Sequence, residues 1–413
     1  MRIVLLNRFF FPDHSATSQL VTDLAEFLSC AGHEVIAITS RQLYDAPAAR
    51  LHEVETHRAI SIRRVWTTRF GRGGLPGRAL DYLSFYLSAT VELCRQVRSG
   101  CVVVAMTDPP LLSVPAIAVA RVKGALFFNW LQDIFPEVAE QLELLRPRSL
   151  GPVLRALRDW TVRHADVNVV IGEPMAARFR HSSRTQPVVI PNWALEERAE
   201  EGAITPDTRP GHGLRTDWGL DGKLVVGYSG NMGRAHRLHE LIDAAADMHD
   251  ETEVRFLLIG DGAQRNSLIA RTRALGLENV IFRPYQARES LRESLSVPDV
   301  HIVSLDGRLE GLIVPSKFVG VLAMGRPVLW IGAPDGEIGT LVRSSGCGIS
   351  VAPGDVSGLI SQLRELVADY KCGGERIKRM SSRAHMLWQE RFTRRNALQM
   401  WSSMIASCGR RNE

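Results

Sequence analysis

The chain has 413 residues, of which 45% are hydrophobic and 23% charged, with a formal net charge of +5. This composition is typical of a folded protein with two domains and excludes a disordered or fibrous chain. The mild positive charge favours anionic ligands, but no dense basic run indicates a nucleic-acid partner. The six cysteines lack the spacing of a zinc site or a disulfide framework, and no uncharged run reaches the roughly 18 residues of a membrane span.

Short apolar runs alternate with helical patterns in the first half of the chain. Charge interrupts residues 1–8 too early for a signal peptide, so we interpret this segment as a buried strand and expect a cytoplasmic protein. Leucines at helical spacing and a closing Gly32 predict a helix over residues 18–32. The predicted strands are residues 3–6, 34–39, 60–66, 102–106, 125–130, 167–171 and 187–190. This alternation predicts a doubly wound parallel sheet.

The pattern restarts after a polar stretch with Gly and Pro at residues 196–222. The strands predicted there are residues 224–228, 254–259, 280–282, 300–303, 327–331 and 348–351. We therefore predict two α/β domains, residues 1–193 and 194–387. The segment 383–407 has a helical pattern, and we expect the tail, residues 388–413, to cross back onto the first domain.

The segment 308–328 is the most informative part of the sequence. Glu310 lies at a small-residue turn, the pair Pro315 and Ser316 can open a helix, and Lys317 lies in its first turn. Helix N-termini and a lysine together suit a diphosphate, while Glu310 can face neutral hydroxyls. The alternative for Lys317, a solvated surface lysine, is less favoured because only five lysines occur in the chain.

Three further turns follow predicted strands of the second domain. In the first, Gly230, Asn231 and Gly233 permit close approach of a ligand, and Arg234 can pair with a diphosphate. The others are residues 260–262 and 283–285. The carboxyl ends of parallel strands meet at one edge of a sheet, so these turns converge on one nucleotide-sized site. Taken singly, the first turn can also be a plain strand-to-helix turn with a solvated arginine, and the other two fit a structural role better than a functional one.

In the first domain, Asp133 follows a buried strand and is our candidate on the acceptor side. Its carboxylate can accept a hydrogen bond from a hydroxyl or act as a base, or it can cap the helix that begins at Pro136. No Asp-x-Asp pair is placed to hold Mg²⁺ on a diphosphate, so we predict that neither a metal nor another cofactor is required. Arg234 and Lys317 must then stabilise the negative charge of a leaving group.

With these residues in view, the chain resembles a family 4 glycosyltransferase of the GT-B fold, in the branch associated with bacterial capsule, O-antigen and colanic-acid type polysaccharides. The resemblance covers nearly the whole chain. Its markers are residues 7–12 with Thr17, 32–35, 107–110, 133–137, 190–193, 230–233, 259–262 and 310–328. It implies two Rossmann-like domains facing across a cleft, an acceptor-binding first domain, a second domain that holds a UDP- or GDP-sugar, and transfer with retention of configuration.

The resemblance also assigns roles to residues. Arg234 and Lys317 neutralise the donor diphosphate, and Glu310 contacts donor-sugar or leaving-group oxygens. The other positions expected to border the donor are Gly230, Asn231, Gly233, Gly260, Asp261, Gly262, Arg283, Tyr285, Gly311 and Leu312. The wider family often carries a second glutamate, yet Phe318 lies eight positions beyond Glu310 and no acid follows in the predicted helix. The ribose contact of that glutamate cannot be transferred to this chain.

An arginine-rich segment, residues 41–78, precedes an apolar helical pattern at residues 80–97. The combination suits peripheral docking on an anionic inner membrane and a polyprenyl-diphosphate-linked saccharide acceptor. A core helix beside a solvated loop explains it equally well. Two functional alternatives also stay open: a sugar-nucleotide 2-epimerase on a similar scaffold, and a non-catalytic nucleotide-sugar-binding protein. A nicotinamide dehydrogenase is disfavoured because no GxGxxG follows the first strand.

Overall fold

The computed structural model describes residues 1–46, 48–71, 75–145, 149–194, 211–287 and 290–409. The chain forms two compact units. Unit 1 comprises Met1–Asn192, Leu312–Val314 and Arg395–Glu413, and unit 2 comprises Trp193–Gly311 and Pro315–Arg394. Most of the predicted polar stretch, residues 195–210, lies outside the described residues, as does Arg72 of the arginine-rich segment.

Unit 1 contains an eight-stranded sheet in the order β3-β4-β2-β1-β5-β6-β7-β8. Its strands are β1 (Arg2–Leu6), β2 (Glu34–Ser40), β3 (Val54–His57), β4 (Ile60–Val65), β5 (Val102–Met106), β6 (Leu126–Leu131), β7 (Val167–Val170) and β8 (Val188–Val189). The helices between them are α1 (Ala16–Cys30), α2 (Leu75–Gln96), α3 (Ser113–Lys123), α4 (Glu137–Gln141), α5 (Leu150–His164) and α6 (Glu173–Phe179). Strands β5 and β7 are buried along their whole length, as expected for strands covered on both faces of the sheet.

One strand of unit 1 departs from the predicted parallel sheet. The edge strand β3 pairs antiparallel with β4, with Val54 opposite Arg63 and His57 opposite Ile60. Its residues alternate between exposed and half-buried positions. Such a short polar edge strand lacks the apolar run by which the other strands were predicted.

Unit 2 contains a six-stranded parallel sheet in the order β11-β10-β9-β12-β13-β14. Its strands are β9 (Leu224–Ser229), β10 (Val254–Ile259), β11 (Val280–Arg283), β12 (Val300–Ser304), β13 (Val328–Ile331) and β14 (Gly348–Val351). Its helices are α7 (His212–Asp217), α8 (Leu238–Asp247), α9 (Arg265–Ala274), α10 (Leu291–Ser296), α11 (Lys317–Ala323), α12 (Glu337–Ser345), α13 (Val356–Lys371) and α14 (Glu375–Arg391). The strand order reverses between β9 and β12, and ligands of such sheets bind beyond strand ends at this switch point.

The C-terminal segment is divided into two helices. A break at Phe392 and Thr393 separates α14 from α15 (Arg394–Gly409), whereas the sequence predicted one helical segment. Trp401 of α15 is fully buried in unit 1, and its ring lies 4.7 Å from that of Trp130 on β6. Phe392 instead packs edge-on against Phe318 in unit 2, with ring centroids 5.9 Å apart. The predicted architecture of two doubly wound α/β domains is confirmed, with β3 as its antiparallel exception.

Candidate functional site

Two glycine turns at the carboxyl ends of β9 and β10 pack directly against each other in unit 2. Gly230 has φ 127° and Gly260 has φ 130°, which favour glycine at both positions. A Cβ on Gly260 would collide with the carbonyl oxygen of Gly230, and a Cβ on Gly262 would lie 2.8 Å from the amide nitrogen of Met232. The turns therefore depend on glycine for backbone-to-backbone contact.

The backbone amides of these turns already have partners within the unit. Gly230 donates to Ile259 at 2.9 Å, and Gly260 donates to Arg283 at 3.0 Å. Gly262 donates to the Asp261 side chain at 2.7 Å. Three amides of the expected anion cradle are thus engaged, so the positive charge for an anion must come mainly from side chains.

Lys317 is a cation that is mostly enclosed beside these turns. Its Nζ lies 3.1 Å from Nε2 of His236 and 5.1 Å from the ring centre of Tyr228. A Cβ on Gly230 would lie 2.5 Å from the Lys317 Cε, so the glycine makes room for the lysine. Burial lowers the pKa of Lys317 from 10.5 to about 8, which leaves the ammonium mostly charged at neutral pH. A solvated surface lysine, the alternative from the sequence, does not describe this environment.

His236 holds the lysine through one defined tautomer. Its Nδ1 lies 2.6 Å from the backbone oxygen of Ser304. A carbonyl can only accept, so Nδ1 carries the proton and Nε2 accepts from the Lys317 ammonium. Burial, together with the charge of Lys317, lowers the pKa of His236 to about 4. The imidazole is therefore neutral and serves as an acceptor for the lysine.

Glu310 lies at a helix N-terminus. Its Oε1 accepts a hydrogen bond of 2.9 Å from the backbone N–H of Glu337, the first residue of α12. A Cβ on Gly336 would lie within 2.7 Å of both Glu310 carboxylate oxygens, so a glycine is needed beneath the carboxylate. The first-turn amides of a helix favour a negative charge. The carboxylate of Glu310 is thus fixed in orientation by α12.

The remaining donor-side candidates differ in their surroundings. Arg234, Asn231 and Asp261 are exposed, and Tyr285 is 55% exposed. The guanidinium of Arg283 lies 5.5 Å from the ring centre of Trp218. Candidates with backbone roles in or near the turns are Gly233, whose oxygen accepts from the Gln264 amide, and Gly311, which is buried with φ 69°.

Leu312 is placed differently from the sequence prediction. The segment Leu312–Val314 belongs to unit 1, where the Leu312 oxygen accepts from the Ile134 amide at 2.9 Å and Ile313 forms a β-bridge with Asp133. Its side chain is 2% exposed. The structure thus assigns Leu312 to unit 1 and not to the second domain as predicted, while its contact with the donor stays a prediction.

Asp133 follows β6 in unit 1. Helix α4 begins without a side-chain cap, so Asp133 does not play the capping role that the sequence left open. Burial raises the pKa of Asp133 to about 6, although a hydrogen bond from Thr107 favours the charged form. Its Oδ1 is enclosed and has no hydrogen-bond partner among the described residues. A carboxyl group in this state can accept a proton or a hydroxyl hydrogen bond near neutral pH.

Comparisons with known proteins agree with this geometry. A family model described as Glycosyl transferases group 1 matches residues 223–369. The probable glycosyltransferase WbjE of Pseudomonas aeruginosa is 29% identical over 311 residues, which span 72% of this chain and 74% of that protein. The protein is a glycosyltransferase, and residues 223–369 match the group 1 domain. The resemblance to family 4 that the sequence motifs carried is confirmed.

Two further relatives extend the comparison over most of the chain. This glycosyltransferase is 24% identical over 389 residues to the putative colanic acid biosynthesis glycosyl transferase WcaI of Escherichia coli K12, with 88% of this chain and 92% of that protein covered. The crystal structure of HepE from Anabaena in complex with UDP-glucose superposes with a TM-score of 0.70 at 16% identity, covering 98% of this chain and 100% of that one. The shared architecture is the GT-B fold.

The sequence analysis did not single out His236 or Gly336. His236 lies in the same loop as Gly233 and Arg234, so its position after a strand was the available signal. Gly336 is 26 positions from Glu310, and only the folded structure brings the two together. Among the described residues, no group of three or more His, Cys, Asp or Glu side chains is arranged to hold a metal ion.

Proposed function

We propose that this glycosyltransferase transfers a sugar from a UDP- or GDP-sugar to a polyprenyl-diphosphate-linked saccharide during assembly of a bacterial surface polysaccharide, with retention of configuration and without a metal. The observation that carries the proposal is the buried Lys317 beside Gly230 and His236 at the end of β9. Burying an ammonium is costly, so its presence at a switch point of the sheet favours an anionic ligand. HepE, solved with UDP-glucose, supports a nucleotide sugar as that ligand.

Lys317 and Arg234 divide the work of neutralising the diphosphate. Lys317 is held by the neutral His236, and we assign bidentate pairing with phosphate oxygens to the exposed Arg234. Side-chain cations aimed at a departing diphosphate stabilise the charge that develops in the transition state. This charge stabilisation is the role that a metal ion plays in other transferases.

Glu310 is the donor-sugar contact in this mechanism. The Glu337 amide fixes the orientation of its carboxylate, so it can accept a hydrogen bond from a sugar hydroxyl without reorganising. We propose front-face substitution, in which the diphosphate leaves the anomeric carbon, accepts the proton of the acceptor hydroxyl, and the acceptor oxygen bonds on the same face. Asp133 is assigned to the acceptor, whose hydroxyl it positions by accepting a hydrogen bond.

The proposed lipid-linked acceptor is supported by helix α2, which is apolar on two faces. Phe85, Ala89 and Leu93 are at most 1% exposed and pack in the unit 1 core. A second row along the same helix is exposed: Leu80 at 48%, Leu83 at 53%, Leu87 at 63% and Val91 at 52%. We call these four residues the α2 stripe. A core helix explains the first row but not the second, so we propose that the α2 stripe rests in the acyl boundary of the inner membrane.

The arginine-rich segment contributes less to docking than its composition indicated. Arg64 is buried and pairs with Glu55 at 2.5 Å, and Arg58 pairs with Glu26 at 2.7 Å. Because these arginines pair with glutamates of the same protein, they attract anionic lipid less strongly. Insertion of the apolar side chains therefore contributes most to the proposed docking. Among the described residues, no helix combines the length and apolarity needed to cross a membrane.

The donor and the reaction are tested in one series. A thermal-shift panel of UDP, GDP, ADP and TDP identifies the base, because a ligand at 100 times its dissociation constant stabilises by about 2.7 kcal/mol. Transfer from the matching sugar nucleotide to a lipid-linked saccharide extract is then followed by mass spectrometry with and without EDTA, and the anomeric configuration is read by NMR. Stabilisation by none of the four nucleotides, or activity abolished by EDTA, would contradict the proposal. Conversion of the donor without an acceptor would instead identify an epimerase.

Docking is tested by co-sedimentation with vesicles of anionic and neutral lipid. The double variant Leu83→Ser and Leu87→Ser should lose binding, because it removes two of the four apolar side chains of the α2 stripe. Val122→Ser is the matched control, since Val122 is 85% exposed on α3 and stands outside the α2 stripe. Equal sedimentation of all three proteins would rule out docking through α2.

A further inference from the structure

A polar pocket of about 160 Å³ in unit 1 is lined by residues of that unit. Its lining includes two arginines, Arg8 and Arg78, together with aromatic side chains and one carboxylate: Phe9, Tyr44, Tyr82 and Asp108. The space is many times the roughly 10 to 15 Å³ that a single water needs on this measure. That is room for a phosphate group with part of the group attached to it.

Arg8 is the feature of this pocket that calls for a ligand. The residue is 8% exposed, and its Nη2 donates to Gln42 at 3.2 Å. Its Nε is buried without a hydrogen-bond partner among the described residues. Buried guanidinium groups are normally paired and fully hydrogen-bonded, because desolvation of the charge is costly. The pocket therefore contains an incompletely satisfied cation.

The carboxylate of Asp81 does not fully satisfy Arg8. Oδ2 of Asp81 is 3.6 Å from the Arg8 Nη2, which is long for a charge-assisted hydrogen bond. Asp81 already accepts hydrogen bonds from the Thr68 hydroxyl at 2.7 Å and from the Phe70 and Gly71 amides at 3.0 and 2.9 Å. Its charge is thus largely committed to the loop that precedes α2.

The other lining groups define the chemistry that fits. The Arg8 guanidinium faces the rings of Tyr82 and Phe9, with centroid distances of 5.1 and 5.2 Å, and these contacts hold its plane in the pocket. Arg78 adds a second guanidinium from the first turns of α2. The lining itself carries two guanidinium groups and one carboxylate, that of Asp108, and the Asp81 carboxylate near Arg8 is shared with three donors of the preceding loop, so the guanidinium groups remain available to a phosphate group.

We propose that the pocket of Arg8 and Arg78 binds a phosphate of the diphosphate that joins the lipid to the acceptor saccharide. The inference rests on the proposed lipid-linked acceptor and deepens it by naming the group that is recognised. Arg78 and Tyr82 lie on α2 together with Leu80 and Leu83 of the α2 stripe. At 3.6 residues per turn, Arg78 lies on a different face of α2 from the α2 stripe, so one helix contributes both the exposed apolar side chains and a guanidinium of the pocket.

Binding is tested on the full chain by calorimetry with farnesyl diphosphate, farnesol and inorganic pyrophosphate as probes. Arg78→Ala should weaken the binding of farnesyl diphosphate by about tenfold to a hundredfold, which is the usual effect of losing one charge-assisted hydrogen bond. Arg8→Lys is the second variant, which keeps the charge but loses the bidentate fork. Arg95→Ala is the matched control, because Arg95 is an exposed arginine of α2 outside the pocket and should bind as the wild type does.

Each outcome decides the inference. A phosphate site is supported if Arg78→Ala weakens the binding of both pyrophosphate and farnesyl diphosphate and if farnesol does not bind. If farnesol binds as tightly as farnesyl diphosphate, the protein recognises the isoprenoid chain alone, and the inference fails. It also fails if Lys317→Met abolishes farnesyl diphosphate binding while Arg78→Ala does not, or if the wild type binds no diphosphate. If the pocket binds diphosphate but no lipid-linked saccharide accepts sugar, the proposed function fails and the phosphate site stands.

Discussion

The replacement Lys317→Met separates the functional role of the buried lysine from a structural one. Methionine has nearly the length and volume of lysine, so it fills the space beside Gly230 without the charge. A lysine that serves the fold should cost stability when it is removed. A lysine that is kept for a ligand should instead cost activity while the unliganded protein gains stability.

The pKa of Lys317 gives the magnitude. A fall from 10.5 to about 8 on folding means that burial of the ammonium costs about 3 kcal/mol at pH 7, at about 1.4 kcal/mol per pKa unit. Methionine removes this cost but also removes the hydrogen bond to His236, worth about 1 kcal/mol. The net gain of about 2 kcal/mol raises the midpoint of thermal unfolding by roughly 4 to 8 °C for a domain of this size.

The pH dependence has a definite sign. Below about pH 8 the lysine is charged in both the folded and unfolded states, and the full cost is present. Between pH 8 and 10.5 the unfolded chain binds more protons, so the free energy of unfolding of the wild type rises with pH. The advantage of Lys317→Met over the wild type should therefore be largest near pH 7 and should shrink towards pH 10.

The assay compares thermal unfolding without ligand at pH 7 and pH 10 with the rate of sugar transfer. Transfer should fall by about 10² to 10³, the usual loss on removing a preorganised charge. Lys371→Met is the matched control: Lys371 lies on the surface, 3.3 Å from Glu251, and its loss should change neither quantity appreciably. A Lys317→Met protein that is less stable than the wild type at pH 7, or equally active, would refute the reasoning.

Three further substitutions test the neighbouring assignments. Gly230→Ala forces a Cβ against Lys317 at φ 127° and should weaken donor binding measured by calorimetry. Gly354→Ala is the control, because Gly354 also has a positive φ but faces open space, and it should bind the donor as the wild type does. Equal affinities of the two variants would exclude the packing argument. Glu310→Gln keeps a hydrogen-bond acceptor for the α12 amide but removes the charge. The free energy of unfolding should fall by less than about 1 kcal/mol, whereas the turnover rate should fall strongly. If turnover falls only to the extent that stability does, Glu310 is a helix cap only. Asp133→Asn should remove the acidic limb of the rate profile near pH 6, where the wild type loses activity as its carboxylate takes up a proton, and an unchanged profile would count against its acceptor role.

The sequence predicted the sheet strands well because most of them are buried on both faces. Residues 102–106 are all apolar and residues 254–259 are apolar except for Arg255, and the structure forms strands over the same residues. Local periodicity did not predict β3, whose four residues include Glu55 and His57. Its pairing depends on the neighbouring β4, which is a tertiary effect.

The candidate site could be predicted in its residue types more than in its geometry. Glycines after strands and a lone lysine were visible as a pattern, but Lys317 is enclosed by Tyr228 of β9 and by His236 of the loop after it, some 80 to 90 positions earlier in the chain. The same holds for Glu310, whose partner Glu337 becomes a partner only once α12 is formed. Contacts over such separations leave no periodic signal in a single sequence.

The arrangement around Lys317 also explains why a neutral histidine is the suitable neighbour. A carboxylate at the position of His236 would neutralise the ammonium and reduce its attraction for a diphosphate, and it would raise the pKa of the lysine instead of leaving it near 8. The carbonyl of Ser304 fixes the imidazole as an acceptor, so it orients the ammonium without cancelling its charge. A buried cation held by a neutral acceptor retains its charge for a ligand, and this unit 2 arrangement parallels the incompletely paired Arg8 of unit 1.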